Sequence, residues 1–444
     1  MPPKKQRNPR ISASGSTLKT NKNKTALLFV TAIASLVLSG CTTAPLPAVP
    51  YVQAEYEFLQ WADGSKLRIN RVNLADATEA IVSEDFKLVS NTEQWSLGKE
   101  FFEAFGIDSQ GNLVGSMTLD QGVDQKTGEL FVHTKIGSVK DGAFVPFPQP
   151  KSLEANQQVR QVLAGHSDGE DIVWAETSDT TIVAGSWQLY SMPSKAQEPV
   201  LVASSDAGDD ATLVSLGGSE IQPVIYQDRI YWHEAIRATP ATPVVTTLKS
   251  VDLQGKEKPR EEGTGLAYPV ALDKSLAVFT MPPTENTDPE VADDFAFPQP
   301  QGISLIGPKG QTSQLLQVSS QAPAEANFGM LKGSENALTF SFNGETFVVD
   351  AESKRVTVFE EPQAATMTGL AQCGDIATWS YMAPSGENFG KQYVFNVKDQ
   401  SLRIVTEPRL DGTSICNDRY LGWSIRDLEN DGAYSTEVLT RWER

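Results

Sequence analysis

The feature that most constrains the fold is a short strand-like motif that recurs along the chain. Each copy follows a cluster of turn residues and places a large aromatic residue after two or three mostly apolar positions. Six clear copies carry Trp174, Trp232, Phe279, Phe340, Trp379 and Trp423, and a weaker seventh is centred on Gly115. Successive copies lie 59, 58, 47, 61, 39 and 44 residues apart. A repeat of this order predicts an array of similar small sheets rather than unrelated domains.

A second strand candidate follows most of the motifs at a constant distance. Phe131, Leu189, Leu248, Tyr393 and Val438 each lie 14 to 16 residues after a motif residue, whereas Ile303 follows after 24 and Phe347 after 7. A four-stranded sheet cannot bury both faces alone, and radial stacking covers them with neighbouring sheets. The pattern therefore predicts an all-β protein whose residues 51–444 form a β-propeller of seven blades, each with four antiparallel strands.

Two β-sandwich domains are the alternative architecture. They would need a linker, but the best linker candidates, Thr239–Pro243 and Pro282–Pro300, fall inside the repeat and resemble long loops. The last blade is one strand short, because the chain ends soon after Ser435–Trp442. We expect Tyr51–Asn70, which has strand character, to complete that blade.

The N-terminal segment differs from the rest of the chain in charge. Residues 1–40 contain seven Lys or Arg and no acidic residue, and they end in the uncharged run Ala26–Leu38. Basic residues followed by a short apolar run and small residues are typical of a secretory signal. Thirteen residues extend only about 20 Å as a helix, which is too short for a stable transmembrane span.

Leu38-Ser39-Gly40-Cys41 resembles the lipobox of bacterial lipoproteins. The resemblance implies cleavage of residues 1–40 and lipidation of Cys41, which becomes the new N-terminus. A buried cysteine after an uncleaved signal anchor is the alternative. Residues 42–50, with three prolines, are typical of an extended tether, so residues 41–50 are interpreted as a lipidated cysteine and its spacer. The predicted location is the extracytoplasmic face of a cell membrane.

The two other cysteines occupy matching positions in the repeat. Cys373 lies 6 residues before Trp379, and Cys416 lies 7 residues before Trp423. In an exported protein such a pair predicts a disulfide between consecutive blades, with two separate buried thiols as the alternative.

Residues that could carry catalysis are scarce. The chain has three histidines and no HExxH, CxxC, Walker or GxSxG motif. His166, in a polar turn before a motif strand, is the best candidate for a site at the end of a propeller channel, although a solvated turn is the simpler interpretation. His133 is the third candidate for a base at neutral pH, and His233 and Glu234 should point to opposite faces of a strand, which favours a structural or surface histidine.

Acidic turns do not have the pattern of a calcium site. Asp427–Gly432 and Asp120–Asp124 lack the regular oxygen ligands and the distal bidentate glutamate, so both are interpreted as hairpin turns. Phe147-Pro-Gln-Pro150 recurs as Phe297-Pro-Gln-Pro300, which suggests two loops of similar geometry or an exposed docking element. The sequence predicts no catalytic residue, no metal and no cofactor, and leaves the binding residues unknown.

Charge limits the partners that the exported part can bind. The 404 residues from Cys41 onward contain 30 basic and 56 acidic side chains, a net charge of −26, which disfavours nucleic acid. We expect a lipid-anchored binding or scaffolding module with an envelope protein or glycan as partner. The alternative is an envelope hydrolase or lyase that acts on glycans or peptides through paired carboxylates in the channel.

Overall fold

Strands account for nearly all regular structure in the part of the chain that can be described. A computed structural model describes residues 51–91, 95–96, 101–123, 130–149, 159–178, 187–205, 214–215, 221–237, 243–283, 299–360, 365–382, 388–406, 410–417, 419–426 and 434–442. The predicted signal segment, Cys41 and the proline-rich tether lie outside these residues. Within the described ranges, no helix is long and apolar enough to span a membrane.

The first described strands precede the repeats. They are β1 (Tyr51–Trp61), β2 (Lys66–Val72), β3 (Thr78–Glu79), β4 (Phe86–Asn91) and β5 (Trp95–Ser96), with a 3₁₀ turn at Leu74–Asp76.

The remaining strands form sequential antiparallel sheets, which we call blades. Blade 1 contains β6 (Phe101–Ile107), β7 (Leu113–Val123), β8 (Leu130–Lys140) and β9 (Ala143–Pro146). Blade 2 contains β10 (Val159–Ser167), β11 (Ile172–Thr177), β12 (Gln188–Met192) and β13 (Val200–Ser204). Blade 3 contains β14 (Val214–Ser215) and β15 (Val224–Tyr226), which share the innermost position, then β16 (Arg229–Arg237), β17 (Val245–Asp252) and β18 (Arg260–Thr264).

Four further blades complete the set. Blade 4 contains β19 (Leu266–Ala271), β20 (Leu276–Thr280), β21 (Gly302–Ile306) and β22 (Thr312–Val318). Blade 5 contains β23 (Phe328–Ser334), β24 (Ala337–Phe342), β25 (Glu345–Asp350) and β26 (Arg355–Glu360). Blade 6 contains β27 (Thr366–Cys373), β28 (Ile376–Met382), β29 (Asn388–Asn396) and β30 (Ser401–Thr406). Blade 7 contains β31 (Leu410–Cys416), β32 (Tyr420–Arg426), β33 (Tyr434–Trp442) and, as its fourth strand, β4.

The blades form a closed ring around a central channel. The innermost strands contact each other in the order β6, β10, β15, β19, β23, β27 and β31, and β31 then contacts β6. Over the described residues the fold is therefore a seven-bladed β-propeller, which confirms the predicted fold class and excludes two β-sandwiches.

The sequence motif marks the same strand in every blade. Gly115 and the six aromatic residues all lie on the second strand of a blade, and the second strand candidates all lie on the third. The six aromatic side chains are at most 4% exposed, because each packs between its own blade and a neighbour. The recurring aromatic residue thus reports a buried position between blades.

The two irregular intervals have local causes. Between Phe340 and Phe347, strands β24 and β25 are joined by a tight turn in which Asn343 and Gly344 have φ values of 49° and 74°. Two successive left-handed residues are typical of the shortest hairpins, and Asn-Gly favours them. Between Phe279 and Ile303, the connection from β20 to β21 is long, and residues 284–298 of it are outside the described ranges.

Each interface between blades has its own apolar core. Seven clusters of buried side chains join blades 1 and 2, 2 and 3, 3 and 4, 4 and 5, 5 and 6, 6 and 7, and 7 and 1. At the closing interface, Ile415 and Leu439 of blade 7 pack with Phe102 and Leu113 of blade 1. The core is therefore a ring of similar interfaces rather than one central cluster.

Near the channel, each interface is also joined by a polar or covalent link. Ser109 N donates to Gly169 O (2.7 Å), Ile225 N to His166 Nδ1 (3.3 Å), Tyr268 N to His233 Nδ1 (3.3 Å), Asp273 N to Glu335 O (3.0 Å), Gly374 N to Ser334 Oγ (3.0 Å) and Asn417 Nδ2 to Asp108 O (3.5 Å). The link between blades 6 and 7 is the predicted disulfide Cys373–Cys416, with a Cα–Cα distance of 5.9 Å. We call this set the inter-blade links.

The strand that completes blade 7 is not the one expected. Tyr51–Asn70 was predicted to fill this place, but β4 (Phe86–Asn91) pairs antiparallel with β33, and its Phe86 ring lies 6.2 Å from the ring of Trp423. Instead β1 and β2 pair with each other, and they extend the outer strands β22 and β26 of blades 4 and 5. The hairpin buries five apolar side chains in the core of those two blades: Tyr56, Leu59, Trp61, Leu67 and Ile69.

The disulfide should stabilise the ring measurably. It closes a loop with a sequence separation of 43 residues, for which the loop-entropy description gives about 3–4 kcal/mol. We expect the Cys373→Ala/Cys416→Ala variant to lose a free energy of unfolding of this size in urea titrations. Reduced wild-type protein is the control and should behave like the variant. A loss below about 1 kcal/mol would contradict a stabilising role.

Candidate functional site

The innermost strands carry a bulge close to the motif residue. Six of them have a register shift at this level: Ala104/Gly106 in β6, Val162/Ala164 in β10, Ala267/Val270 in β19, Gly329/Leu331 in β23, Thr368/Ala371 in β27 and Leu410/Ser414 in β31. A bulge adds a residue and increases the local twist, which changes the direction of the next side chains. The channel wall therefore departs from regular strand geometry at a common level.

Glycines allow blades 1 and 2 to approach closely beside the channel. A Cβ atom on Gly165 would lie 2.7 Å from the Phe105 ring, and one on Gly106 would lie 2.6 Å from Ser167 Cβ. Since Gly165 and Ser167 face blade 1, His166 between them faces blade 3. Its Nδ1 accepts a hydrogen bond of 3.3 Å from the backbone N–H of Ile225. The best sequence candidate is thus an inter-blade link on strand β10 rather than part of a solvated turn.

His166 is held in its neutral form. Burial, with a smaller contribution from the positive charge of Lys332, lowers its pKa to about 4. A neutral imidazole that accepts at Nδ1 has its proton on Nε2. At neutral pH the ring can therefore donate a hydrogen bond from Nε2. Its Nδ1 cannot act as a general base, because it already accepts the hydrogen bond from Ile225.

Lys332 is a half-buried charged side chain on the innermost strand of blade 5. It lies on β23 of blade 5, three blades away from His166, so the electrostatic effect between them acts across the ring. Burial lowers the pKa of the Lys332 ammonium, and within the described ranges it has no ion pair.

Glu103 on β6 is solvent-exposed, yet desolvation raises its pKa, as expected for a carboxyl group in a channel surrounded by protein.

His233 is a second inter-blade link. It is 1% exposed, its Nδ1 accepts from the N–H of Tyr268, and the two rings are 4.4 Å apart. Burial lowers the pKa of His233 to about 4. The adjacent Glu234 binds Trp232 Nε1 at 3.0 Å and Lys249 Nζ at 2.7 Å, whereas His133 is exposed on β8. Of the structural and surface roles that the sequence left open for His233, the fold therefore shows the structural one.

A cleft between blades 3 and 4 has the dimensions of a ligand site. Its volume is about 380 Å³, and it is lined by Tyr226, Tyr231, Arg260, Glu262, Leu276, Ile306 and the turn Gly307-Pro308-Lys309-Gly310. Small-molecule sites typically occupy about 300–1,000 Å³. The rings of Tyr226 and Tyr231 are 6.1 Å apart, and the cleft contains charges of both signs. We call this the blade 3–4 cleft.

None of the residues chosen from the sequence lines this cleft. The cleft side chains come from separate strands and turns, so their proximity follows from the packing of two blades. One signal was available: Tyr226 and Tyr231 flank a turn just before the Trp232 motif, and Lys309 lies in a Gly-Pro-Lys-Gly turn. Such turns lie at the ends of blades, where propellers expose their loops.

Several sequence candidates lie wholly or partly outside the described residues. Asp427–Gly432 is outside, and so are Asp124 and Phe297. In the described ranges, no group of three or more His, Cys, Asp or Glu residues is arranged to hold a metal ion. Phe147 packs against the core of blades 1 and 2, and its N–H donates to Ile136 O, so the described part of this Phe-Pro-Gln-Pro copy, residues 147–149, begins as a loop packed against its blade.

The strand pairing defines the class of protein as a seven-bladed β-propeller. No protein-family model and no curated protein matches the chain. Among solved structures, oligogalacturonate lyase from Vibrio parahaemolyticus is similar, with 10% identity, a TM-score of 0.45, and coverage of 89% of this chain and 98% of the other. BamB from Moraxella catarrhalis has 11% identity, a TM-score of 0.37 and coverage of 81% and 98%. The β-propeller domain of the trilobed protease from Pyrococcus furiosus has 8% identity, a TM-score of 0.34 and coverage of 70% and 99%. These similarities concern the fold alone.

Because His233 is buried in its neutral form, we expect the free energy of unfolding to fall in acid. Its pKa is about 4 in the fold against 6.5 in an exposed histidine, so the unfolded chain binds a proton first. The free energy of unfolding should fall by about 3 kcal/mol from this group as the pH drops from about 6.5 to 4. His233→Asn keeps an acceptor near Nδ1 but does not titrate, so its stability should depend less on pH in this range.

The matched control for this test is Leu248→Val. Leu248 is fully buried opposite His233 in the β16–β17 pair, so its truncation lowers stability without removing a titrating group. Urea titrations at several pH values should give the control the wild-type slope and His233→Asn a shallower one. If the free energy of unfolding changed equally with pH in all three proteins, the acid-dependent loss of stability could not be assigned to His233.

The desolvated ammonium of Lys332 should reduce stability. Lys332→Met removes the charge and keeps most of the side-chain volume, so we expect a higher urea midpoint at pH 7.5. Because the pKa of Lys332 is lowered in the fold, the wild type gains stability as the pH rises towards about 10, and the difference should shrink there. Lys391→Met, at an exposed position on β29, is the control. A lower midpoint for Lys332→Met would show that the ammonium stabilises the ring.

Proposed function

We propose that the protein is a membrane-anchored, extracytoplasmic lipoprotein whose propeller serves as a binding or scaffolding module of the cell envelope. The lipobox-like Leu38–Cys41 and the basic, acid-free segment before it support the anchor. Strand β1 begins ten residues after Cys41, and ten extended residues span at most about 35 Å. A lipid on Cys41 would therefore hold the propeller close to the membrane surface.

The observation that carries the binding function is the polar blade 3–4 cleft on a ring that is linked at every interface. A rigid scaffold with variable loops at its ends is a common basis for recognition sites. The high negative charge of the exported part keeps the domain soluble and disfavours direct contact with anionic lipid headgroups. The anchor then supplies the membrane attachment and the propeller supplies the recognition.

The alternative hydrolase or lyase requires two carboxyl groups with different pKa values in the channel. Within the described residues, desolvation raises the carboxyl pKa of Glu103 and Glu176. Among the described residues, no second carboxylate contributes to the raised pKa of Glu103, and Glu176 binds the Arg160 guanidinium at 3.0 Å in the protein interior. These contacts support a binding module over a carboxylate-based enzyme.

The anchor is tested by changing its attachment point. In cells, Cys41→Ser should abolish labelling with radioactive palmitate and shift the protein from the membrane fraction to the soluble fraction, because lipid attachment needs the thiol. The Cys373→Ala/Cys416→Ala variant is the control, since it lacks the other two cysteines and retains Cys41. Membrane retention of unlabelled Cys41→Ser protein at the wild-type level would refute the lipid anchor.

A further inference from the structure

The blade 3–4 cleft presents cations on both of its walls. Arg260 is at the start of β18 in blade 3, and Lys309 is in the turn between β21 and β22 of blade 4. The Arg260 side chain is 56% exposed, and Lys309 is exposed. In the described residues, Lys309 Nζ has no ion pair and both terminal guanidinium nitrogens of Arg260 lack a hydrogen-bond partner. Two walls of the cleft therefore offer charged donors to a ligand.

The acidic residue of the cleft is already engaged. Glu262 Oε1 accepts hydrogen bonds from Arg260 Nε at 2.7 Å and from Ser250 Oγ at 2.5 Å, and its side chain is 15% exposed. These bonds hold the guanidinium by its inner nitrogen, so the outer edge stays available. The charges of Glu262 and Arg260 cancel, so Lys309 gives the lining of the cleft a net positive charge. The domain as a whole is strongly acidic.

Neutral polar groups and an apolar floor complete the cleft. The Tyr231 hydroxyl has no hydrogen-bond partner among the described residues, and burial raises its pKa, so it remains a donor. The Tyr226 hydroxyl accepts from Gln227 Nε2 at 3.0 Å, which leaves its own proton to donate. Leu276 and Ile306 are buried beneath these groups. The arrangement suits a compact ligand with hydroxyl or amide groups and one negative charge.

We propose that the blade 3–4 cleft binds a small carboxylate ligand, whose carboxylate lies between Arg260 and Lys309 and whose polar body contacts the Tyr231 hydroxyl. A guanidinium edge matches the two oxygens of a carboxylate, and an ammonium adds a point charge from the opposite wall. This inference deepens the binding function proposed above and rests on it. Sugar acids and short peptides both carry such a carboxylate, so the probes must separate these sources.

The test compares three small probes on the full chain in detergent at low ionic strength. D-glucuronate and N-acetylglycine carry the carboxylate on a sugar and on a peptide-like body, and D-glucose is the matched neutral sugar. By isothermal titration calorimetry, at least one carboxylate should bind at least tenfold more tightly than glucose. The better carboxylate identifies the source of the ligand chemistry.

Variants of the cleft decide whether binding occurs there. Arg260→Gln/Lys309→Gln should weaken carboxylate binding at least tenfold, and Tyr231→Phe should weaken it by a smaller factor through loss of one donor. Lys398→Gln/Arg441→Gln removes the same number of charges at exposed positions outside the cleft and should bind like the wild type.

Three results would overturn the proposal: no carboxylate binding, equal binding of glucose, or unchanged binding in the folded cleft variants. These outcomes leave the membrane fractionation of Cys41→Ser unaffected, so failure of the cleft and failure of the anchor are distinguishable. Thermal unfolding of each variant checks that the ring remains folded.

Discussion

The structure depends on closure of the ring, because each blade is apolar on both faces and only its two neighbours can cover them. The last interface, between blades 7 and 1, buries side chains such as Ile415 and Phe102 in the same way as the others. Strand β4 enables this closure by adding an N-terminal strand to the C-terminal blade. Without that pairing, β33 would lose its β4 partner at the outer edge of blade 7, and blades 7 and 1 would be joined only by side-chain packing and the hydrogen bond from Asn417 to Asp108.

Polar contacts beside the channel align neighbouring blades where apolar packing alone would allow sliding. His166 and His233 do this by accepting backbone hydrogen bonds across an interface, and the disulfide does it covalently between blades 6 and 7. Burial makes both imidazoles weak bases. Residues that a motif search selects for chemistry are therefore used here to connect blades, and their unusual pKa values follow from that structural role.

The proposed recognition site lies between two blades, where strands from different parts of the chain meet. The blade 3–4 cleft combines Arg260 of one blade with Lys309 of the next, and Glu262 orients the arginine. The local positive charge contrasts with the acidic domain around it, which would favour anionic ligands at this position over the rest of the surface. Anchoring at Cys41 and binding at the cleft are independent parts of the proposed function.

The sequence by itself determined the all-β class, the seven repeats and the second and third strands of each blade, because a buried aromatic residue recurs at one place in a regular unit. It also predicted the Cys373–Cys416 pair from matching positions in that unit. Only the tertiary structure decided which N-terminal segment completes blade 7, since Tyr51–Asn70 and Phe86–Asn91 both have strand character and differ in which edge they fit. It alone placed Tyr231, Arg260 and Lys309 around one cleft, because contacts between blades join residues that no local pattern connects.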